Sequence, residues 1–383
     1  MHDPLKNAKL SSIRFGHFGR LLATLFASVL SAIVMAKAGA ETLGVSQPRA
    51  PILVANPESR HVALRSDLDV GISVTTEVPS TSGTKAEKSF RRTEAQLLAA
   101  KQRMVFEESG RWGVVRLYPE PSLIPELMLE LVILRSDGRE LLINVILTSV
   151  SGDLLLSGTY MDRADFGQSS SDIVALDAED PFADLFHRIH IDVAGAVSQY
   201  ERSERYLDTL SFLRYAQQLA PKAFSGYLAM EDGQWKLLRE PSDLDPMYKR
   251  IVKLRAYELL FVDTIDEQLG GALREIDGAY RLWLQASQEQ LEWLERRRKR
   301  GLNVNSFTDD STFARHQAVY AAYRSLKIHE QELFELVLDL ESESRSTALE
   351  VEETVIKLEG TLEQQYREWR GTLLKIIRLE NVF

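Results

Sequence analysis

From Asp310 to Phe383 the chain has no proline and only two glycines, Gly360 and Gly371, so little in this stretch forces the backbone out of a helix. Val319, Tyr323, Leu326, Leu333, Val337 and Leu340 step by four, three, seven, four and three. Val351, Val355, Leu358, Leu362, Trp369, Leu373 and Ile376 resume the pattern after a polar middle at Ser342 to Thr347. This is the seam of a coiled-coil-like helix with a one-residue slip, flanked by Glu and Arg at the solvated positions. It predicts one long amphipathic helix over 310–380, capped from among Asp309, Asp310, Ser311 and Thr312. Such a seam either folds back on residues 245–300 as an antiparallel hairpin or pairs with another copy or another protein. Arms of matching length favour the hairpin.

Residues 181–301 read as a second helical region. Asp180-Pro181 opens a helix in the expected way, with an Asp cap and Pro where a missing N–H costs nothing. Phe182, Leu185, Phe186, Ile189, Val193 and Val197 then recur at threes and fours on one face. A further helix runs from Glu201 to Leu219. Tyr227 to Arg239, with Asp232-Gly233 at its centre, reads as a hairpin insert. Asp245-Pro246 repeats the helix opening, and the pattern stays helical to Arg300, with a break expected at Gly270-Gly271.

Residues 65–162 read as an α/β module, entered from a linker or entry strand at 41–64 and left through a linker at 163–180. Asp69 to Val78 alternates as a half-buried strand, and Ser80 to Gly83 is a loop. Lys85 to Ser109 is helical and stops at Gly110. Trp112 to Tyr118, Leu127 to Leu134, Leu141 to Thr148 and Leu154 to Met161 are strands, and Asp137-Gly138 marks a hairpin turn. The order β-α-β-β-β-β implies a mixed sheet with a helix on one face, and the whole chain is α+β.

The runs ESGRWGVVRLYPEP and LELVILRSDGRELLINVILTSVSGDLLLSGTY, within Glu107 to Pro121 and Leu129 to Tyr160, carry a resemblance. In element order this stretch resembles the N-terminal module of the TolB family and of the periplasmic lipoproteins that activate penicillin-binding proteins. The resemblance implies an accessory fold for protein contacts and no active site. The chain departs from the activators in having no lipid-attachment cysteine, and from TolB in having no propeller repeats.

The first forty residues suggest an address. Lys6, Lys9, Arg14 and Arg20 precede the charge-free run Leu21 to Ala36, and Ala38-Gly39-Ala40 gives the small-x-small pattern of a secretory cleavage site. Cleavage after Ala40 would place the protein in the periplasm. The alternative is a retained inner-membrane anchor facing the same compartment, although the run is shorter than the roughly 20 residues a spanning helix wants. The chain carries a net charge of −10, and residues 1–40 hold five cations and one acid, leaving −14 beyond Ala40. That balance argues against nucleic acid as a partner. Cysteine is absent, which excludes thiolate catalysis and Cys-zinc sites.

Chemistry-bearing patterns are few. His187 and His190 share a helix face at a spacing of three, with Asp184 and Asp192 near, but no third ligand or HExxH follows. They read as surface or packed histidines. No G-x-S-x-G elbow and no phosphate-binding glycine loop occurs. Glu295 to Arg300 (ERRRKR) is the one basic run. Its cations complement a helix C-terminus closing at Gly301, or grip anionic lipid, lipopolysaccharide phosphate or peptidoglycan carboxylates.

The expectation is therefore an exported, non-enzymatic envelope accessory or scaffold protein, with no catalytic residue and no cofactor. Partner contacts are expected at Arg296, Arg297, Arg298, Arg300, Leu333, Val337 and Leu340, against an envelope protein, a second copy through the C-terminal helix, or the membrane surface. The rival is a metal-dependent hydrolase of peptidoglycan or envelope peptides using His187 and His190.

Overall fold

Alternating apolar runs separated by tight turns become an antiparallel meander. The computed structural model describes residues 67–78, 85–166, 180–242, 244–301, 310–351 and 354–380. The leader, the 41–64 segment, the 80–83 loop, most of the 163–180 linker and Asp309 lie outside these residues. Apart from Lys85–Lys88, the described residues belong to one compact unit.

The module comprises β1 (Val70–Thr76), α1 (Lys85–Glu108), β2 (Val115–Leu117), β3 (Leu127–Ser136), β4 (Glu140–Ser149) and β5 (Leu154–Arg163). The sheet order is β2-β1-β3-β4-β5, with β1 parallel to both neighbours and the rest antiparallel. The chain is α+β with a mixed sheet, as the element order implied. β2 is shorter than the Trp112 to Tyr118 run, because Trp112 leaves the strand to stack on Phe106 with ring centroids 5.5 Å apart.

Strand parity divides the sheet into two unlike faces. Val70, Ile72, Leu127, Leu129, Leu131, Ile133, Leu141, Ile143, Val145 and Leu147 share one face, and all are fully buried. Helices α1 and α2 (Ala183–Ser198) cover it: Ser136 of this face donates to Glu94 of α1, and Tyr160 donates to Asp192 of α2. The β3–β4 turn needs its glycine twice over. Gly138 sits at φ +83°, and a Cβ there would lie 2.8 Å from Ser287 Cβ.

Helix α3 (Glu204–Leu219) starts at a Ser203 cap and supports the loop after β2, with Ser211 donating to the Ile124 carbonyl at 2.6 Å. The expected hairpin insert is β6 (Leu228–Glu231) and β7 (Gln234–Leu237), turned by Asp232 and Gly233 at positive φ.

Helix α4 (Pro246–Gly301) is one element of 56 residues, opened by Asp245, whose carboxylate accepts the Met247 N–H at 2.8 Å. The break expected at Gly270-Gly271 does not occur. A glycine costs a helix about 1 kcal/mol relative to alanine, and packing on both flanks outweighs that. Ile265, Leu269, Leu273 and Ile276 stay buried straight through the pair. A row of acids on α4 also holds the module: Asp263 pairs with Arg116 at 2.8 Å, Asp266 with Arg103, Asp277 with Lys101, and Glu295 with Arg139 at 2.7 Å.

The single helix expected over 310–380 is instead α5 (Asp310–Glu343), a hairpin of β8 (Ser346–Val351) and β9 (Thr354–Glu359), and α6 (Leu362–Glu380). The polar middle and the residues after it alternate with period two. Thr347, Leu349 and Leu358 are buried while Ala348, Glu350, Val355 and Lys357 are exposed, so a ribbon buries them better than a helix. α5 lies antiparallel on the second half of α4: Phe90 of α1 packs against both Trp283 and Phe334, and Thr347 reaches Gln268. α6 continues along the first half through buried Leu362, Tyr366, Trp369, Leu373 and Ile377, correcting the expected seam at Val351, Val355 and Ile376.

Candidate functional site

The residues expected to meet a partner divide into two groups. Leu333, Val337 and Leu340 are 2%, 1% and 3% exposed against the chain's own core, so they offer no surface to a second protein. Burying a leucine or valine is worth about 1.5–3 kcal/mol. Three such residues decide the seam for the hairpin on α4. Arg296 is exposed on α4, beside Glu292 one turn earlier. Arg297, Arg298 and Arg300 are placed on the same helix, but their side chains lie outside the described residues.

The two histidines have unlike surroundings. His190 is half-buried, and its Nε2 accepts the Trp112 Nε1–H at 3.2 Å while Phe106 packs edge-on at 4.9 Å. Burial first, then Arg111 and His187, lower its basicity below the ordinary imidazole value. His187 is exposed. Among the described residues no group of three or more His, Asp or Glu is placed to hold a metal ion.

Three polar clusters escaped sequence reasoning because their members are scattered along the chain. Glu94 is buried in α1, and takes Arg91 at 2.7 Å, the Ser136 hydroxyl at 2.6 Å and the Tyr280 hydroxyl at 2.9 Å. Glu258 is buried in α4, and accepts the Tyr366 hydroxyl at 2.6 Å with Arg370 at 3.6 Å. Both satisfy a buried charge and fasten helices together. The third gathers Ser149, Ser151, Tyr200 and Gln234 around Asp153 in the β4–β5 turn. Burial works to raise the Asp153 carboxyl, but hydrogen bonds from Ser151, Tyr200 and Gln234, together with Arg202, hold it below the usual range. No histidine or lysine reaches these hydroxyls in any described contact. The cluster pins the β6–β7 hairpin instead, where the Trp235 N–H donates to the Ser151 carbonyl at 2.7 Å.

An open groove of roughly 460 Å³ runs between α3 and α4, with Phe212, Tyr248 and Leu259 on its walls. Two loose ion pairs edge it, Arg205 with Glu240 and Arg255 with Asp208, each at 3.7 Å. Its described lining includes no serine, histidine or lysine.

The feature best placed to meet another molecule is the second face of the sheet. Val132, Leu142 and Ile146 point away from α1 and α2, are only half-buried, and lie outside the packed core. Met161, opposite Leu142, is 52% exposed. Asn144 and Thr159 pair across the same face, with Glu130, Thr148 and Ser157 beside them. An apolar strip edged by polar and charged groups, Glu130 beside it and the Arg135, Glu140 and Arg163 ion pairs at one end, thus lies over β3, β4 and β5, uncovered among the described residues. The signal was legible in Leu142 and Ile146, apolar residues on the strand face that α1 and α2 leave bare.

No protein-family model matches the chain. No curated protein matches it either.

Among the described residues, no helix is long and apolar enough to cross a membrane.

Proposed function

We propose that the chain is an exported cell-envelope accessory protein that works by holding a partner rather than by turning over a substrate. The observation that supports this most is the uncovered sheet face. Val132, Leu142, Ile146 and Met161 present apolar surface that neither the helices nor the hairpins use. Hydrophobic patches of this kind on an otherwise well-paired fold mark contact sites. Its rigid backing, ten-residue strands pressed on a fully buried layer, suits a docking platform whose shape is set before the partner arrives.

The basic leader, apolar run and Ala38-Gly39-Ala40 sequence support export. The resemblance to envelope accessory modules agrees with a contact role. The test is recovery of a bound protein from envelope fractions with the wild-type chain and with a Leu142→Asp, Ile146→Asp double variant, alongside the intact mass of the recovered chain. The reading expects a partner lost in the variant and a mass lower by about forty residues. A full-length chain in the cytosol, or capture unchanged by the double variant, contradicts it. Stoichiometric zinc lost on replacing His187 and His190 would instead favour the hydrolase.

A further inference from the structure

β5 ends the sheet on one side, with no described strand beyond it. The direction of its backbone groups follows from the strands before it. The Glu77 N–H donates to the Ile133 carbonyl, so Ile133 turns its backbone toward β1. Its β4 neighbour Ile143 then turns toward β5, because bonded and unbonded pairs alternate along antiparallel strands. Tyr160 lies opposite Ile143 and Gly158 opposite Val145, so both bond to β4. Ser157, Thr159 and Met161 therefore aim their N–H and C=O groups off the edge. Arg188 of α2 meets one of them there, donating to the Met161 carbonyl at 3.1 Å. Among the described residues nothing meets the backbone N–H or C=O of Ser157 and Thr159, and both residues are exposed.

Edge strands are ordinarily blunted by charge, proline or a bulge. From Leu154 to Met161 (LLLSGTYM) there is neither charge nor proline, and the irregularity opposite Leu147 falls before Ser157. Exposed apolar side chains flank the row. Met161, 52% exposed, stands on the bare face, and Ile191, 65% exposed, lies on α2 one turn from Arg188.

Backbone donors and acceptors that repeat at every second residue, about 7 Å apart, match another extended polypeptide. A second copy of this chain is a poor occupant. α2 packs on β5 rather than on β4, so pairing β5 with itself would set two α2 helices about one strand spacing, 4.8 Å, apart. Packed helices need about 8–10 Å. We infer that the partner adds an extended segment of its own, uncharged at its centre, to β5 as a sixth strand. One set of its side chains lies against Ile191, and the alternate set extends the strip at Met161. The inference rests on the docking role proposed above and names the form in which the partner docks.

The experiment places a photo-crosslinking side chain at Ser157 or at Met161 of the full chain in growing cells and maps the adducts by mass spectrometry. An added strand predicts adducts to one protein, with the two sites about four residues apart in its sequence. Thr159→Pro removes an outward N–H while leaving the β4 ladder whole, and should cut the adduct yield roughly tenfold or more. Thr159→Val keeps the N–H and should retain the yield. Circular dichroism confirms that both variants remain folded. Hydrogen exchange of the purified free chain should find the Ser157 and Thr159 amides fast beside slow Gly158 and Tyr160. Adducts that converge on one partner residue, a yield untouched by Thr159→Pro, or slow exchange at Ser157 and Thr159 in the free chain would overturn strand addition. Adducts from Asn144 with none from Ser157 or Met161 would overturn it while sparing the docking role, whereas no adduct from any of the three would remove both.

Discussion

The Tyr280 hydroxyl donates a 2.9 Å hydrogen bond to the Glu94 carboxylate, joining α4 to α1 where solvent does not reach. Burial and the adjacent Glu94 raise the Tyr280 hydroxyl well above its ordinary pKa, so it remains a donor at any working pH. Tyr280→Phe should cost about 1–2 kcal/mol, because Arg91 and Ser136 still serve the carboxylate. Glu94→Ala should cost about 3–5 kcal/mol, since it removes the buried carboxylate that Arg91, Ser136 and Tyr280 share. Urea unfolding of both variants checks the order and the sizes.

Two kinds of glycine in this chain should respond oppositely to alanine. Gly270 and Gly271 lie inside α4, and a Cβ at either meets nothing within 4 Å. Gly270→Ala and Gly271→Ala should each stabilise by about 0.4–1 kcal/mol. Gly138→Ala should destabilise by about 1–3 kcal/mol, from positive φ and the Ser287 contact together. Thermal unfolding of the three variants tests both signs, and a loss at Gly270 would argue for a hinge.

The two sheet faces make a matched pair of substitutions. Ile143→Asp puts a charge into the fully buried layer and should prevent folding. Ile146→Asp, three residues on and facing the other way, should cost only about 1 kcal/mol, mostly strand propensity. If Ile146→Asp unfolds the chain as Ile143→Asp does, some element covers the second face.

Burial pushes the Glu126 carboxyl up to about 7, although it accepts the Asp69 N–H at 2.7 Å. Its folded pKa exceeds its unfolded value of about 4.3. The stability it contributes is therefore complete below that value and is lost as pH rises through about 7. Glu126→Gln keeps an acceptor for Asp69 and removes the titration. Wild type should lose a few kcal/mol relative to the variant between pH 4 and pH 8. Denaturant midpoints across that range check it, and parallel profiles would contradict it.

Much of the fold was legible because its local signals agree with one another. The meander follows from strict alternation and from Asp137-Gly138, and α2 shows its apolar face at Leu185, Phe186, Ile189 and Val193. Two elements misled. Gly270-Gly271 looks like a break when propensity alone is weighed, but α4 is fixed by burial of Leu269 and Leu273 and by its paired acids. The 346–359 hairpin hid inside a heptad-like pattern, because Val351, Val355, Leu358 and Leu362 keep helical spacing, while the alternation of buried Thr347 and Leu349 with exposed Ala348 and Glu350 is short. The interior charges at Glu94 and Glu258 were illegible, since their partners Tyr280 and Tyr366 lie more than a hundred residues away. The open face could be read only as strand parity until the helices were seen to choose the other side.

The central claim is that the bare face of β3, β4 and β5 holds a partner. A photo-crosslinking side chain at Asn144, with Glu350 on the β8–β9 hairpin as the comparison position, interrogates that face in growing cells. A single discrete adduct from position 144, absent from position 350 and removed by Ile146→Asp, is the expected result. No adduct from position 144, or the same set of adducts from both positions, would contradict it.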